Sequence, residues 1–185
     1  MTEIASPRQL RMGLVRWALV TVPLTLLLGF LSGQVGPSGD ESAWFRALEK
    51  PWFNPPGWVF PVAWTLLYAM IGFALAVVLH ARGAKGRGLA IALWLAQFAL
   101  NLAWSPTFFG AQRITAALVI IVAMFVLALA TTFAFGRVRP LAAWLMVPYL
   151  GWLVFAGLLN LAFARLNPEA DALAPRGVST DIPLK

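Results

Sequence analysis

Long apolar runs separated by short polar segments dominate this chain. Five runs are each close to the roughly 20 residues that a helix needs to cross a hydrocarbon core, and the last four contain no Asp, Glu, Lys or Arg. In lipid the backbone must satisfy its own hydrogen bonds, and the runs lack the alternation of a barrel strand. The pattern therefore predicts an all-α integral membrane bundle of five transmembrane helices, over about 14–31, 58–80, 89–109, 114–135 and 141–164.

The links between the later runs are short. A tight link brings the end of one helix next to the start of the following one. We therefore predict that the second to fifth helices are antiparallel neighbours, joined near 81–88, 110–113 and 136–140.

The long link, 34–57, is predicted to form a lid over one end of the bundle. Within it, Ser38 to Glu41 fits a capping box, which predicts a helix over 42–50 that Pro51 ends. The domain organisation predicted from these links is an N-terminal segment 1–13, a membrane domain 14–167 that includes the lid, and a flexible tail 168–185.

Basic residues flank the apolar runs. The net charge is +7, but the Lys and Arg residues are dispersed and form no basic stripe, so we expect no nucleic-acid binding. With five spans, one side of the membrane carries eight of the 14 Lys and Arg residues. This bias predicts a multi-pass protein with a cytoplasmic N-terminus and the 34–57 loop outside. The eight residues are Arg8, Arg11, Arg16, Arg82, Lys85, Arg87, Arg137 and Arg139.

The first run has a second interpretation. Arg8, Arg11 and Arg16 before an apolar stretch also fit a cleaved secretory signal peptide, with residues 31–33 as the cleavage region. The run is long for such a peptide, and its small residues lack the usual A-x-A spacing, so we favour a retained helix.

Composition excludes several classes of chemistry. Cysteine is absent, His80 is the one histidine, and 61% of the residues are hydrophobic. The chain therefore lacks the residues for a cysteine nucleophile, a disulfide or a histidine metal cluster. Because the last four runs hold no ionisable Asp, Glu, Lys or Arg, ion-coupled transport lacks its usual groups. We expect no required cofactor.

Tryptophan is the candidate functional residue. The chain has nine, of which Trp17, Trp58 and Trp144 lie at run ends and fit an interfacial aromatic belt. Trp64 lies about 9 Å deeper than Trp58 at 1.5 Å per residue, and Trp152 is near the middle of its run. A buried indole needs a partner for its N–H, so we predict that these two side chains point into the bundle.

Further polar and aromatic positions share helix faces with these tryptophans. Trp94, Gln97, Asn101 and Trp104 lie on one face of the third helix, and Tyr68 and Tyr149 lie near Trp64 and Trp152. Such faces can form a pocket for a flat apolar molecule. They can equally be amide links between helices and ordinary aromatic core.

Several multi-residue motifs resemble those of one family. The chain resembles the TspO/translocator proteins, the tryptophan-rich sensory proteins formerly called peripheral benzodiazepine receptors, over about residues 14–167. The motifs that carry the resemblance are ALEKPWFNPPGWVFP at 47–61, AWTLLY at 63–68, QF at 97–98, NLAWS at 101–105, FFG at 108–110, VPYLGW at 147–152 and LN at 159–160.

The resemblance implies a homodimeric five-helix bundle in a bacterial cell membrane, with a cavity toward the first loop. It implies binding of porphyrins, synthetic isoquinoline and benzodiazepine ligands and, in some members, sterols. Leu161 stands where animal members have a tyrosine before the basic Arg165, so we do not expect sterol recognition there. Together, spacing and resemblance predict ligand contacts at Trp44, Phe45, Trp52, Phe53, Trp64, Tyr68, Gln97, Asn101, Trp104, Tyr149 and Trp152.

These expectations favour a binding and sensory protein for a porphyrin-type tetrapyrrole, with Arg46 or Lys50 attracting the propionates. The first alternative is an enzyme that degrades porphyrin in light, because Trp64 and Trp152 match tryptophans implicated in that reaction in bacterial relatives. The others are a transporter of tetrapyrroles or sterols and a purely structural or regulatory partner protein.

Overall fold

A computed structural model of the protein describes residues 7–35 and 37–171, with side chains from Met12 onward. The predicted bundle is confirmed, since five of the helices are long and apolar enough to cross a membrane. Of the predicted 1–13 segment and 168–185 tail, residues 7–13 belong to the first helix and Ala170 and Asp171 contact the bundle, whereas residues 1–6 and 172–185 lie outside the described residues. The helices are α1 (Pro7–Gly33), α2 (Ala43–Ala47), α3 (Val59–His80), α4 (Arg87–Ser105), α5 (Ile114–Val138) and α6 (Pro140–Leu166).

Helix α1 packs closely on α3 through residues spaced four apart. Thr21 Oγ1 donates to Gly72 O at 2.8 Å, and Thr25 Oγ1 donates to Tyr68 O at 3.0 Å. One turn further, Gly29 lies against the ring of Tyr68, where any Cβ would overlap the ring. Small residues and side-chain hydroxyls let helix backbones approach in lipid, which makes α1 an integral part of the bundle.

The predicted order of neighbouring helices is partly wrong. Helices α4, α5 and α6 pack in sequence as expected, but α3 and α4 share few contacts, and α3 packs instead on α1 and α6. A short connection fixes only that two helix ends are near. Arg87 marks that junction, because its guanidinium donates to Val78 O at 3.1 Å and to Leu79 O at 2.9 Å.

The end of α4 differs from the regular helix predicted over 89–109. The helix continues as a π-helical turn, Pro106–Gly110, which places Phe108 in the interior. Proline has no N–H to donate to the preceding turn, and such widened turns are frequently found at functional sites. The connection between α5 and α6 is Arg139 alone.

The first loop differs from its predicted form. Ser38 makes no capping bond, and the helix cap is Ser42, whose Oγ accepts from Phe45 N at 3.2 Å. The helix ends at Ala47, well before Pro51. The reason is burial, since Phe45 and Leu48 both turn into an apolar cluster and Leu48 adopts an extended backbone.

Candidate functional site

A cavity of about 1050 Å³ lies between α1, α3, α4 and α6, with the first loop across its end. Its volume is at the upper end of the range for small-molecule sites, roughly 300–1,000 Å³. The predicted contact residues that line it are Phe45, Trp64, Tyr68, Asn101, Trp104 and Trp152.

The indoles of Trp64 and Trp152 meet in the deep part of the cavity. Their ring centroids are 6.2 Å apart in an edge-to-face arrangement, and Trp64 also stacks on Tyr68 at 5.1 Å. Phe60 packs edge-on against Trp152 at 6.1 Å. Residues distant in the sequence therefore form one aromatic surface, as their helical spacing predicted.

A chain of buried hydrogen bonds supports this surface. Tyr68 Oη donates to Asn101 Oδ1 at 2.7 Å, and Asn101 Nδ2 donates to Tyr149 Oη at 3.0 Å. Tyr149 Oη in turn donates to Gln97 Oε1 at 2.9 Å. Asn101 thus both links three helices and lines the cavity. The two interpretations of the amides on this helix, helix linkage and pocket lining, therefore both apply to Asn101.

Tyr149 and Gln97 lie behind the cavity wall. Both are 0% exposed and neither lines the cavity, contrary to the expectation that they contact the ligand directly. Their helical faces are inward as predicted, but Tyr149 is bonded to the outer side of Asn101 and Gln97 is bonded to Tyr149, so both lie behind the cavity wall. Trp94 is also buried beyond the wall and stacks on Phe98 at 4.8 Å.

A second amide organises the part of the cavity nearest the loop. Trp104 stacks on Phe108 at 5.0 Å, and its Nε1 donates to Asn160 Oδ1 at 3.2 Å. Asn160 Nδ2 donates onward to Ile114 O at 3.0 Å. Asn160 and Phe108 line the cavity but were not predicted as site residues. An amide within an apolar run was the available signal for Asn160.

Most of the loop aromatics do not line the cavity. Trp52 is 95% exposed and packs only edge-on against Phe53, while Trp44 packs against Phe108 from outside. Only Phe45 of the four predicted loop residues faces inward. Successive residues of a helix point about 100° apart, and in this short helix Phe45 takes the inward position while Trp44 does not.

Two polar atoms at the cavity wall are unpaired. Trp152 Nε1 and Asn54 Oδ1 are buried and have no hydrogen-bond partner within residues 7–35 and 37–171, although both residues line the cavity. A buried unpaired donor or acceptor costs about 1–3 kcal/mol. Neither atom is exposed, so a guest in the cavity pairs with it only if the neighbouring side chains move.

Among the described residues that line the cavity, the charged ones all belong to the first loop. Lys50, Asp40 and Glu41 line the cavity, and Lys50 Nζ lies 3.5 Å from Asp40 Oδ1 and 5.0 Å from the Phe45 ring centroid. Arg46 is outside the lining and donates to Asp40 O at 2.6 Å. Of the two cations predicted to attract an anionic ligand, Lys50 is the one at the cavity.

Two of the tryptophans expected in the interfacial belt are exposed. Trp144 is 72% exposed and Trp58 is 68% exposed, whereas Trp17 is half-buried. Trp58 also borders the cavity beside the loop.

Comparison with known proteins extends over nearly the whole bundle. The model of the TspO/MBR family matches residues 20–166. The tryptophan-rich protein TspO of Chlorobaculum tepidum is 41% identical over 80% of this chain and 93% of its own length. The tryptophan-rich sensory protein of Cereibacter sphaeroides is 43% identical over 70% and 82%. The human translocator protein is 38% identical over 76% and 84%.

Proposed function

The chain belongs to the TspO/MBR family, and on that premise we propose that it is an integral membrane binding and sensory protein for a porphyrin-type tetrapyrrole. The observation that carries the proposal is the cavity of about 1050 Å³ on which Trp64, Trp104 and Trp152 converge. A flat macrocycle fits walls of this kind, because aromatic rings prefer offset-stacked or edge-to-face contacts with other rings.

The polar groups support a ligand that is apolar at one end and anionic at the other. The deep wall is lined by the aromatic rings of Trp64, Tyr68 and Trp152, whereas Lys50 lines the loop end. A macrocycle can insert with its ring against these aromatic side chains and its carboxylates toward Lys50. A sterol has no anionic group, and Leu161 departs from the animal sterol motif, so we propose the tetrapyrrole ahead of the sterol.

Fluorescence titration tests the proposal. Porphyrin added to purified protein in detergent should quench tryptophan emission and saturate at micromolar concentration or below, since Trp64 and Trp152 line the cavity. Quenching that rises linearly without saturation, or that is equal in Trp152→Phe and wild type while binding is unchanged, would contradict it.

A second candidate function is light-dependent degradation of the porphyrin. The specific support is the contact of Trp64 with Trp152 at 6.2 Å and its stacking on Tyr68 at 5.1 Å, which groups three oxidisable rings beside the ligand position. Illumination of the complex distinguishes the two functions. Loss of the Soret band that Trp64→Phe or Trp152→Phe abolishes supports degradation, whereas a stable band leaves binding alone.

We also propose that the N-terminus is cytoplasmic and the 34–57 loop lies outside a bacterial cell membrane. The excess of Lys and Arg on the N-terminal side supports this orientation. Because the chain has no cysteine, an exposed cysteine introduced at Glu49 can be labelled from one side only. Labelling from the cytoplasmic side would reverse the proposed topology.

Homodimer formation is proposed from the family resemblance. Two small residues of α6 are in contact within the monomer, since Ala142 is fully buried and Gly157 faces Ile121 of α5. Sedimentation of the detergent complex measures the oligomeric state.

A further inference from the structure

A single side chain after α6 holds the far end of the first loop. Asn167 Oδ1 accepts a hydrogen bond from Glu49 N at 2.8 Å, and Asn167 Nδ2 donates to Glu49 O at 2.9 Å. The same Nδ2 donates to Phe163 O at 3.0 Å, in the last turn of α6. The amide therefore joins the loop backbone to the bundle.

This pair of bonds between Asn167 and Glu49, the clamp, lies between two loop residues that contact the bundle or the cavity. On one side of Glu49, Leu48 is buried in the cluster that contains Phe45. On the other side, Lys50 lines the cavity. Because Asn167 binds the backbone N–H and C=O of Glu49, it fixes the path of the loop at this point independently of the Glu49 side chain.

The segment that carries Asn167 is also bonded to α5. The carboxylate of Asp171 accepts from Ile114 N at 2.6 Å and from Thr115 N at 3.1 Å. A carboxylate at a helix N-terminus is stabilising. The segment 167–171 thus stays attached to α5 and α6 when the loop is released.

The bonds to Glu49 are suited to reversible release. Both are exposed to water, so water can replace them at little net cost. By contrast, the hydrogen bonds between Tyr68, Asn101 and Tyr149 are buried. Opening of the structure should begin at the loop.

We infer that Asn167 is a positioning residue that holds the loop closed over the cavity and so sets how fast a ligand leaves. The inference rests on the proposed function for the nature of the ligand, but not for the opening of the loop. Loss of both bonds to Glu49 should raise the opening frequency about five-fold, the order expected for exposed hydrogen bonds.

A cysteine reporter measures opening without any ligand. Since the chain has no cysteine, Ser105→Cys places a single thiol at the cavity wall. Its modification rate by a hydrophilic thiol reagent should rise about five-fold when Asn167→Ala is added. Asn167→Asp, which keeps the acceptor for Glu49 N, should be intermediate. Glu169→Ala, an exposed change in the same segment, is the matched control and should have no effect.

Porphyrin dissociation from protein without the reporter provides the second measurement. Asn167→Ala should raise the dissociation rate about five-fold without lowering the association rate. If Asn167 only supported the cavity, its removal would lower both the affinity and the association rate. An unchanged thiol reactivity in Asn167→Ala overturns the inference, and so does faster labelling with unchanged dissociation. Faster labelling in a protein that binds no porphyrin leaves the clamp standing and rejects the proposed function.

Discussion

The deep and loop ends of the cavity are built differently. At the deep end, long helices hold Trp64, Tyr68 and Asn101 in a buried chain of hydrogen bonds and stacked rings. At the loop end, Phe45 and Leu48 are buried, but the 3-10 turn Gly39–Glu41 and the rest of the loop are held by exposed side-chain bonds and one ion pair of 3.5 Å. We therefore expect the deep end to be preorganised for affinity, and the loop end to move, to control access and to select for charge.

The largest effect should come from disturbing the frame of the deep end. Gly29→Val puts a side chain where the Tyr68 ring lies, so α1 must move away from α3, and we expect a loss of about 1–3 kcal/mol of stability from overpacking. Thermal unfolding in detergent measures it. Gly151→Val, on α6 where an added Cβ meets no atom within 4 Å, is the control. Equal stability of the two variants would show that the α1–α3 contact is looser than described.

The next effect concerns the polar chain behind the aromatic surface. Asn101→Ala removes the acceptor for Tyr68 Oη and the donor to Tyr149 Oη. The loss of stability should be about 1–2 kcal/mol, in the range for hydrogen bonds between membrane helices. Porphyrin affinity should fall as well, since Asn101 lines the cavity. Ser105→Ala, a half-buried change at the loop end, should leave unfolding nearly unaltered. A similar loss in both variants would erase the contrast between the two ends.

A smaller effect is expected from shrinking one aromatic ring at the cavity wall. Trp152→Phe replaces the indole that packs on Trp64 at 6.2 Å by a smaller ring, and porphyrin binding should weaken about five-fold, the value of about 1 kcal/mol of aromatic contact. Trp52→Phe is the same change on the 95% exposed loop tryptophan and should bind as wild type. Titration by porphyrin absorbance measures both. A stronger effect at Trp52 would move the binding surface to the loop.

The smallest effect is expected at the charged end. Lys50→Gln should weaken the binding of a porphyrin with free propionates about two- to three-fold, in keeping with partly exposed ion pairs. It should not change the binding of the corresponding porphyrin ester. Asp40→Asn, which frees Lys50 from its carboxylate at 3.5 Å, should act in the opposite direction. Both effects should shrink at high ionic strength. Equal weakening of acid and ester would show that Lys50 acts by packing on Phe45 rather than by charge.

How far the site could be predicted depended on the element that carries each residue. Trp64, Asn101 and Trp152 lie on long helices, and helical periodicity assigns their faces, so their convergence on one cavity followed from spacing. Trp52 and Phe53 lie on an irregular part of the first loop, where no period relates position to direction, and Trp44 lies on a helix of only five residues. The structure places all three outside the cavity lining. Asn160 was missed because its motif was assigned no role in the site.

The sequence alone determined the membrane-spanning helices, since runs of about 20 apolar residues that lack the alternation of barrel strands can satisfy their backbone in lipid only as helices. It also determined which helical faces turn inward. Tertiary structure decided that α3 packs on α1 and α6 rather than along α4, that Gln97 and Tyr149 stand behind Asn101, and that Asn167 holds Glu49 across the bundle. These arrangements depend on which surfaces meet, and a local pattern carries information about one helix or loop at a time.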